Sequence, residues 1–320
     1  MVGRATGVDP LDGIRRVGRI GQQMNEGSGM KRRQPLATAA SAAIIASASL
    51  HAADLPDIRT VPQDLDVPPM QAMQPAPGRR VKATHPSYQG SDVYHALYLP
   101  TDWVKGRHYP VIIEYAGNGP FSNRRGDTCS GRVEDCNLGY GISGGKGVIW
   151  VCLPYISEDR THNQLQWWGD VEATVAYCKQ SVKQVCAAYG GDPAKVFIAG
   201  FSRGAIACNY IGLHDDEVAL LWRGFICHSH YDGVTKWGYA GSDPKAAAVR
   251  LKRLGDRPQF ISHEVSLAAT ERYLNQAFPS GNFAFLALPY PNHTDAWVLR
   301  GCEARGVLRE WFDHALNENR

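Results

Sequence analysis

From residue 94 onward, short apolar runs alternate with longer segments in which apolar and polar residues recur at a helical spacing. Apolar runs of this kind predict strands buried inside a sheet. They fall at 94–99, 111–115, 148–153, 196–199, 224–227, 259–262 and 283–288. The helical spacing predicts helices near 171–189, 216–222, 246–254, 266–278 and 305–317. Strands that alternate with helices predict an α/β protein, with a mostly parallel sheet and helices on both faces.

The predicted strand at 196–199 runs directly into Gly200-Phe201-Ser202-Arg203-Gly204, and a predicted helix starts just after it. A serine in G-x-S-x-G between a strand and a helix is typical of a nucleophile elbow, a tight turn that exposes the hydroxyl. Such a turn strains the serine backbone and needs small residues two positions away, so that strand and helix can pass closely. Gly200 and Gly204 meet that need. We therefore interpret Ser202 as a nucleophile, the alternative being a plain glycine-rich turn.

A catalytic serine needs a general base and an acid that orients the base, in the chain order Ser, acid, His for this architecture. His293 follows the last predicted strand and is the candidate base. Two carboxylates qualify as the acid, because each follows a predicted strand: Glu264 after 259–262 and Asp232 after 224–227. We favour Glu264, and Asp232 is the alternative.

The oxyanion of an acyl-transfer intermediate needs two backbone N–H donors in fixed positions. One is expected to be the amide of Arg203, which immediately follows the nucleophile. The other is expected from the loop after the strand at 111–115, where glycines let the backbone approach closely. Gly117 or Asn118 is the candidate there, and the alternative is a simple strand-to-loop turn.

Aromatic residues and histidines near the same sheet edge are candidates for substrate binding. Trp167, Trp168 and Trp237 lie in segments that can reach this edge and stack on a sugar or aryl group, with burial in the core as an equal alternative. His228 and His230 form an H-x-H pair, a spacing that can bind zinc. The sequence offers no third ligand, so we predict no metal and assign His230 to substrate contacts.

The N-terminal residues carry the pattern of a secretory signal peptide. A basic start at 30–33 precedes a small and apolar run at 35–50, with a candidate cleavage site near its end. The run is too short and too rich in alanine to span a bilayer. We therefore expect a signal region over 1–53, translation from Met24 or Met30, and a secreted or periplasmic protein without a membrane span after signal removal.

Six prolines among polar residues follow, and they predict an extended linker over 54–84. A hydrophobic content of 44% and a charged content of 20% are ordinary for a globular chain. The remaining residues, 85–320, are expected to form one catalytic domain, since strands alternate with helices and the sequence has no internal repeat. Eight cysteines in an exported chain permit disulfides. Cys129 and Cys136 flank a polar loop and are the best candidate pair.

The formal net charge of +3 comes from the N-terminus. Residues 54–320 carry 27 Lys and Arg against 28 Asp and Glu, so the body of the protein is close to neutral. A nucleic-acid-binding domain normally shows a basic surface. We therefore expect no nucleic acid among the partners.

The segment from Asp192 to Ala205 resembles the elbow of α/β-hydrolases in the group of polyhydroxybutyrate depolymerases, feruloyl esterases and acetylxylan esterases. The order of a Gly-Asn-Gly loop, the serine, an acid and Asn292-His293-Thr294 is similar to theirs. The resemblance implies the α/β-hydrolase fold and a secreted serine esterase without a cofactor. Two departures stand out. The acid position reads Glu264 where the group has aspartate, and Arg203 is charged where a small or apolar residue is usual.

Taken together, the sequence predicts a secreted hydrolase that cleaves carboxylic esters through an acyl-Ser202 intermediate. Esters on polysaccharides are expected from the resemblance alone. One alternative is a peptidase of the same fold. Another is a secreted carbohydrate-binding protein that retains the fold without turnover. The side chain of Arg203 is expected either to face a substrate group or to pair with a nearby carboxylate.

Overall fold

The computed structural model describes Arg15–Arg16 and residues 55–318 of the 320-residue chain. The predicted signal peptide and both candidate start residues, Met24 and Met30, lie outside the described residues. In the part that is described, no helix combines the length and the apolar character needed to cross a membrane.

A mixed sheet of ten strands forms the centre of the fold, and two further strands pair as a separate ribbon. In chain order the strands are β1 (Arg15–Arg16), β2 (Met70–Gln71), β3 (Arg80–Ala83), β4 (His95–Tyr98), β5 (Tyr109–Tyr115), β6 (Phe121–Ser122), β7 (Thr128–Cys129), β8 (Ile149–Leu153), β9 (Gly191–Phe201), β10 (Gly224–His228), β11 (Gln259–Glu264) and β12 (Phe283–Leu288). The sheet order is β1-β12-β11-β10-β9-β5-β8-β4-β3-β2, and β6 and β7 form the ribbon. The six strands from β12 to β8 are parallel.

The helices cover both faces of this sheet. In chain order they are α1 (Leu138–Ser143), α2 (Val171–Tyr189), α3 (Arg203–Tyr210), α4 (Asp216–Ala219), α5 (Pro244–Leu251), α6 (Ala268–Ala277) and α7 (Glu303–Asn317). Helices α2 to α6 bury apolar residues in the core on one face, and α1 and α7 do so on the other. The predicted fold class, a mostly parallel sheet between two helical layers, is confirmed.

Helix α2 illustrates how local sequence sets the element boundaries. The side chain of Asp170 accepts a hydrogen bond from the N–H of Ala173 at 2.9 Å and caps the first turn. Gly190 ends the helix in the left-handed region, at φ +76°, where glycine is the least strained residue. The helix predicted at 171–189 is therefore present with the same bounds.

The prediction of a linker over 54–84 is wrong where the structure describes this segment. Met70–Gln71 and Arg80–Ala83 are strands β2 and β3, and β3 pairs antiparallel with β4. Ile58, 1% exposed, is buried in the same core as α1 and α7. Prolines disfavour a long α-helix here, but they are compatible with edge strands, with a short 3₁₀ turn at Ile58–Thr60 and with extended segments packed on the sheet.

The predicted pairing of Cys129 with Cys136 is also wrong, because all eight cysteines are free. Cys129 ends the ribbon strand β7, whereas Cys136 is buried beside the thiol of Cys152 on β8. Burial raises the pKa of Cys129 to about 12, which keeps its thiol protonated and unreactive.

Candidate active site

Ser202 lies at the carboxyl end of β9, in the turn that leads into α3. Its backbone has φ +55°, a strained region for a residue with a side chain. A Cβ atom at Gly200 would lie 2.1 Å from the backbone of Gly204, and one at Gly204 would lie 1.9 Å from the carbonyl of Tyr115. Only glycine fits at these two positions, so the turn has the geometry of a nucleophile elbow.

A chain of hydrogen bonds connects Ser202, His293 and Glu264. The Oγ atom of Ser202 lies 3.1 Å from Nε2 of His293. On the other side of the ring, Nδ1 of His293 lies 2.9 Å from Oε1 of Glu264. The arrangement matches the nucleophile, base and orienting acid of a catalytic triad. The three residues come from the ends of β9, β11 and β12, at one edge of the sheet.

The carboxyl group of Glu264 is ionised although it is buried. Burial, the largest single effect, would raise its pKa, but the hydrogen bond from His293 and the charges of His228, His293 and His263 together outweigh burial and hold the pKa well below its usual range. Nδ1 of His263 lies 3.1 Å from the second carboxylate oxygen of Glu264, while hydrogen bonding to the backbone carbonyl of the same glutamate at 2.8 Å. Burial lowers the pKa of His228 to about 4, so this ring is neutral at pH 7, and its charge contributes to the low pKa of Glu264 only in acid.

Asp232, the alternative acid, faces a different partner. Its carboxylate accepts two hydrogen bonds from Arg250, at 2.9 and 3.0 Å. Burial raises the pKa of Asp232 to about 6, against the opposing charge of Arg250. The structure therefore places Glu264, and not Asp232, against His293.

The candidate oxyanion donors lie at the same sheet edge. Arg203 is the first residue of α3, so the helix offers no carbonyl to its backbone N–H. Gly117 and Asn118 follow β5, the strand next to β9. The N–H of Gly119 is already bonded to the carbonyl of Leu165 at 3.0 Å. This leaves the amides of Gly117 and Asn118 as the candidates from this loop.

A cavity of about 220 Å³ opens beside the Ser202 hydroxyl. Its walls are mostly aromatic and apolar: Phe121, Cys129, Trp167, Phe201, Ile206, His230 and Trp237 surround the site, together with Asn118 and Arg203. Trp237 packs against Trp167, with ring centroids 5.3 Å apart, and the ring of His230 lies 5.3 Å from that of His293. Three of the predicted substrate-binding residues therefore do line the cavity.

Trp168 is the exception among the predicted substrate-binding residues. It is 4% exposed and stacks on Tyr210, with ring centroids 4.5 Å apart. It also packs against Tyr155 and Tyr239. Trp168 belongs to the aromatic core beneath the site, and its assignment to substrate binding is wrong.

Comparison with solved structures shows the fold. A feruloyl esterase module from Clostridium thermocellum, solved with sinapinate, aligns over 77% of this chain and 93% of its own, with a TM-score of 0.50 and 15% identity. An acetyl ester-xyloside bifunctional hydrolase from Caldicellulosiruptor lactoaceticus aligns over 75% of this chain and 97% of its own, with the same TM-score and identity. The chain has the α/β-hydrolase fold.

The sequence itself matches no family model and no curated protein. A thermostable esterase also aligns with this chain, at a TM-score of 0.44 and 14% identity. That alignment covers 73% of this chain but only 62% of the esterase. At these identities the comparisons establish the fold, and the activity is argued from the site.

Two residues to which sequence analysis gave no role, Asp127 and Asn292, hold the His293 loop in place. Asp127 accepts hydrogen bonds from the backbone N–H of His293 and from the side chain of Asn292, both at 2.9 Å. Asn292 in turn accepts a hydrogen bond from the N–H of Ile58 at 2.9 Å. Asp127 is 166 residues from His293 in sequence, and no local pattern signals the contact.

Ser229 is a third residue that was missed, and its backbone is unusual. It follows β10 at φ +83°, a left-handed conformation that favours glycine. Its Oγ atom lies 2.9 Å from Nδ1 of His293, the atom that also faces Glu264. A single N–H on this ring nitrogen is therefore shared between a carboxylate and a hydroxyl, and both fix the orientation of the ring.

Replacing Ser229 by alanine or by glycine separates its hydroxyl from its backbone. Both variants lose the contact to His293, and we expect kcat to fall about 10-fold in each, the scale of one hydrogen bond. Glycine also relieves the strained φ, so its variant should be roughly 1 kcal/mol more stable than the alanine variant. Ester kinetics and denaturant unfolding measure both effects. Wild-type kcat in both variants would rule out the positioning role.

The H-x-H pair does not form a metal site in the described residues. Both ring nitrogens of His228 are engaged, one 3.0 Å from Oγ of Ser262 and one 3.0 Å from the carbonyl of Thr294. Within 55–318, a single group, Glu114 with Cys136 and Cys152, has ligand atoms close enough to share an ion. Glu114 there already accepts hydrogen bonds from three backbone amides and from Trp150.

Asp295, close to His293 in sequence, faces away from it and is buried. It accepts a hydrogen bond from the side chain of Asn137 at 2.8 Å. Burial, together with the nearby carboxylate of Glu114, raises the pKa of Asp295 to about 8. The folded protein therefore keeps a proton on this carboxyl group that the unfolded chain releases near pH 4.

Asp295→Asn is expected to change how stability depends on pH. Between about pH 4 and pH 8 the folded state binds one more proton at Asp295 than the unfolded state, so this group lowers stability as pH rises. Asparagine imitates the protonated acid. The free energy of unfolding of the variant should therefore equal that of wild type near pH 4 and exceed it by ~1 kcal/mol more for each pH unit up to about pH 8. Urea unfolding at several pH values measures the difference, and a constant difference would contradict the assignment.

Proposed function

We propose that this protein is a serine hydrolase that cleaves carboxylic esters through a covalent acyl intermediate on Ser202. The observation that carries the proposal is the continuous hydrogen-bond chain from Ser202 through His293 to the ionised Glu264. A hydroxyl with its proton directed at an imidazole is the form of serine that can attack a carbonyl carbon.

The proposed reaction has two halves. Oγ of Ser202 attacks the ester carbonyl carbon while Nε2 of His293 takes its proton, and the imidazolium then gives that proton to the departing alcohol. Water enters next and attacks the acyl carbon, with His293 again accepting a proton and returning it to Ser202 Oγ. Glu264 stays ionised throughout, holds the ring orientation and stabilises the imidazolium.

The negative oxygen formed in each half needs donors already in place. We assign the backbone N–H of Arg203 and the N–H of Gly117 or Asn118 to this role. Each donor of this kind is worth ~3–4 kcal/mol in the transition state, because it acts where water is excluded.

Two observations support a carbohydrate ester as the substrate class. The cavity beside Ser202 is small and lined by Trp167, Trp237 and Phe121, which suits a flat or short apolar acyl group. Of the two solved structures that share the fold, one is named for feruloyl esters and the other for acetyl esters and xylosides. We further propose a secreted or periplasmic location, from the signal pattern over 1–53.

The test offers the purified protein one acyl group in two forms, as an ester and as a peptide-like amide. The proposal expects turnover of the ester with little or none of the amide. Preferred cleavage of the amide would instead identify a peptidase. Carbohydrate binding without cleavage of either compound would identify a binding protein on a hydrolase fold.

A further inference from the structure

Arg203 carries a buried charge that the proposed reaction does not yet use. Its side chain is 1% exposed. Among the described residues no carboxylate lies within ion-pair distance of its guanidinium group, so neither expectation from the sequence holds: it does not pair with an acid, and its charged group is turned into the protein. Burying a cation without a counter-ion costs free energy that an apolar residue would avoid. The contacts of the guanidinium group must therefore offset the cost of its burial.

The guanidinium group makes its two shortest hydrogen bonds to backbone carbonyls, with longer ones to the carbonyls of Gln164 and Gly131. Nη2 donates to the carbonyl of Gly117 at 2.8 Å, and Nη1 donates to the carbonyl of Trp167 at 2.7 Å. Its Cζ atom lies 3.9 Å from the ring centroid of Tyr155, on the ring face, a favourable cation–π position. Every strong contact of the group is thus to a neutral partner.

The hydrogen bond to Gly117 is made to the peptide group between Gly117 and Asn118. The carbonyl of Gly117 and the N–H of Asn118 belong to the same planar amide. A cation that binds the carbonyl oxygen draws electron density away from the nitrogen, so the N–H at the other end becomes a stronger donor. That N–H is one of the two candidates for the second oxyanion donor.

We propose that the side chain of Arg203 is a positioning residue that holds and polarises the Gly117–Asn118 peptide, so that the N–H of Asn118 is an oxyanion donor. The inference rests on the proposed function. Arg203 then stabilises the oxyanion in two ways. Its backbone N–H donates to the oxyanion directly, and its guanidinium group strengthens the N–H of Asn118 as a donor.

A second hydrogen bond, between neutral groups, also holds this loop in position. Oδ1 of Asn118 accepts a hydrogen bond from the backbone N–H of Trp167 at 2.7 Å, and Arg203 binds the carbonyl of that same tryptophan. The two loops are therefore joined by a neutral bond and a charged bond. Removal of the charge should weaken the donor while part of the loop connection remains.

Arg203→Met and Arg203→Lys test the proposal, since methionine removes the charge and lysine keeps it with fewer donors. We expect kcat for ester hydrolysis to fall ~10- to 100-fold in the methionine variant with KM little changed, and to fall less in the lysine variant. Affinity for a boronic acid, which forms a tetrahedral adduct with the serine, should fall in parallel. The infrared stretch of an acyl-enzyme carbonyl should move to higher frequency, because its hydrogen bonds are weaker.

Arg80→Met is the matched control. Arg80 is also buried, lies over Trp150, and donates to the carbonyls of Val133 and Glu134. Its loss should lower stability but leave the infrared stretch and kcat unchanged. If Arg203→Met does not fold, the lysine variant carries the test.

The results separate two kinds of failure. An active wild type whose Arg203 variants keep the boronic acid affinity and the carbonyl stretch overturns this inference and leaves the proposed function standing. Loss of kcat without a spectral shift also overturns it, because a purely structural role would have that effect. A folded wild type with no ester turnover and no boronic acid binding overturns the proposed function, and the inference with it.

Discussion

Replacing Ser202 by alanine is expected to lower kcat for ester hydrolysis by on the order of 10⁵- to 10⁶-fold. The hydroxyl is the atom that forms the acyl intermediate, and no other nucleophile hydrogen bonds to Nε2 of His293 among the described residues. His293→Ala should cause a loss of the same size. The double variant should lose little more, because the residues act as one unit.

Ser181→Ala is the matched control for this prediction. Ser181 lies on α2, is buried, and its hydroxyl donates to the carbonyl of Tyr177 at 2.8 Å. Its removal should leave kcat near the wild-type value. Initial rates on an activated ester, with circular dichroism to establish folding, measure all four variants. Unchanged turnover in folded Ser202→Ala would show that the hydrolysis belongs to another site.

Glu264→Gln is expected to lower kcat by roughly 10³- to 10⁴-fold while the protein remains folded. The amide keeps the size of the side chain but loses the negative charge that fixes the tautomer of His293 and stabilises its protonated form. Burial makes this charge count for more, since water cannot replace it. KM should change far less than kcat.

Asp232→Asn should have the opposite result, with little change in kcat and a clear loss of stability. Asp232 lies against Arg250 and not against His293, so kcat should stay within a few-fold of wild type. Arg250, whose side chain is 12% exposed, loses its counter-ion, which is expected to cost about 3 kcal/mol of stability. Ester kinetics and denaturant unfolding of both variants test which carboxylate orients His293. Equal losses of kcat in both would contradict the assignment of Glu264.

The elements that sequence analysis predicted best are those with a strong local pattern. The helix at 171–189 and the strand at 283–288 have the predicted bounds, because a capping aspartate, a terminal glycine and a continuous apolar run each act within a few residues. The elbow around Ser202 was predictable for the same reason. Its serine and both glycines have physical roles within one turn.

The contacts that were missed depend on residues far apart in the chain. Asp127 contacts the His293 loop across 166 residues, and Ser229 contacts His293 across 64. Glu264 and Asp232 both follow strands, and only the tertiary pairing of Asp232 with Arg250 separates them. The segment 54–84 has a linker-like composition, yet its packing on the sheet is set by β4 and the helices.

The most direct test of a working Ser202–His293 pair is labelling of the full-length protein with a fluorophosphonate, followed by mass spectrometry of the modified peptide. Such a probe reacts with a serine whose proton an adjacent base removes. The account predicts one adduct, on Ser202, that is absent in Ser202→Ala and His293→Ala and present in Ser181→Ala. A folded wild type that takes up no label, or takes it up on another serine, would contradict it.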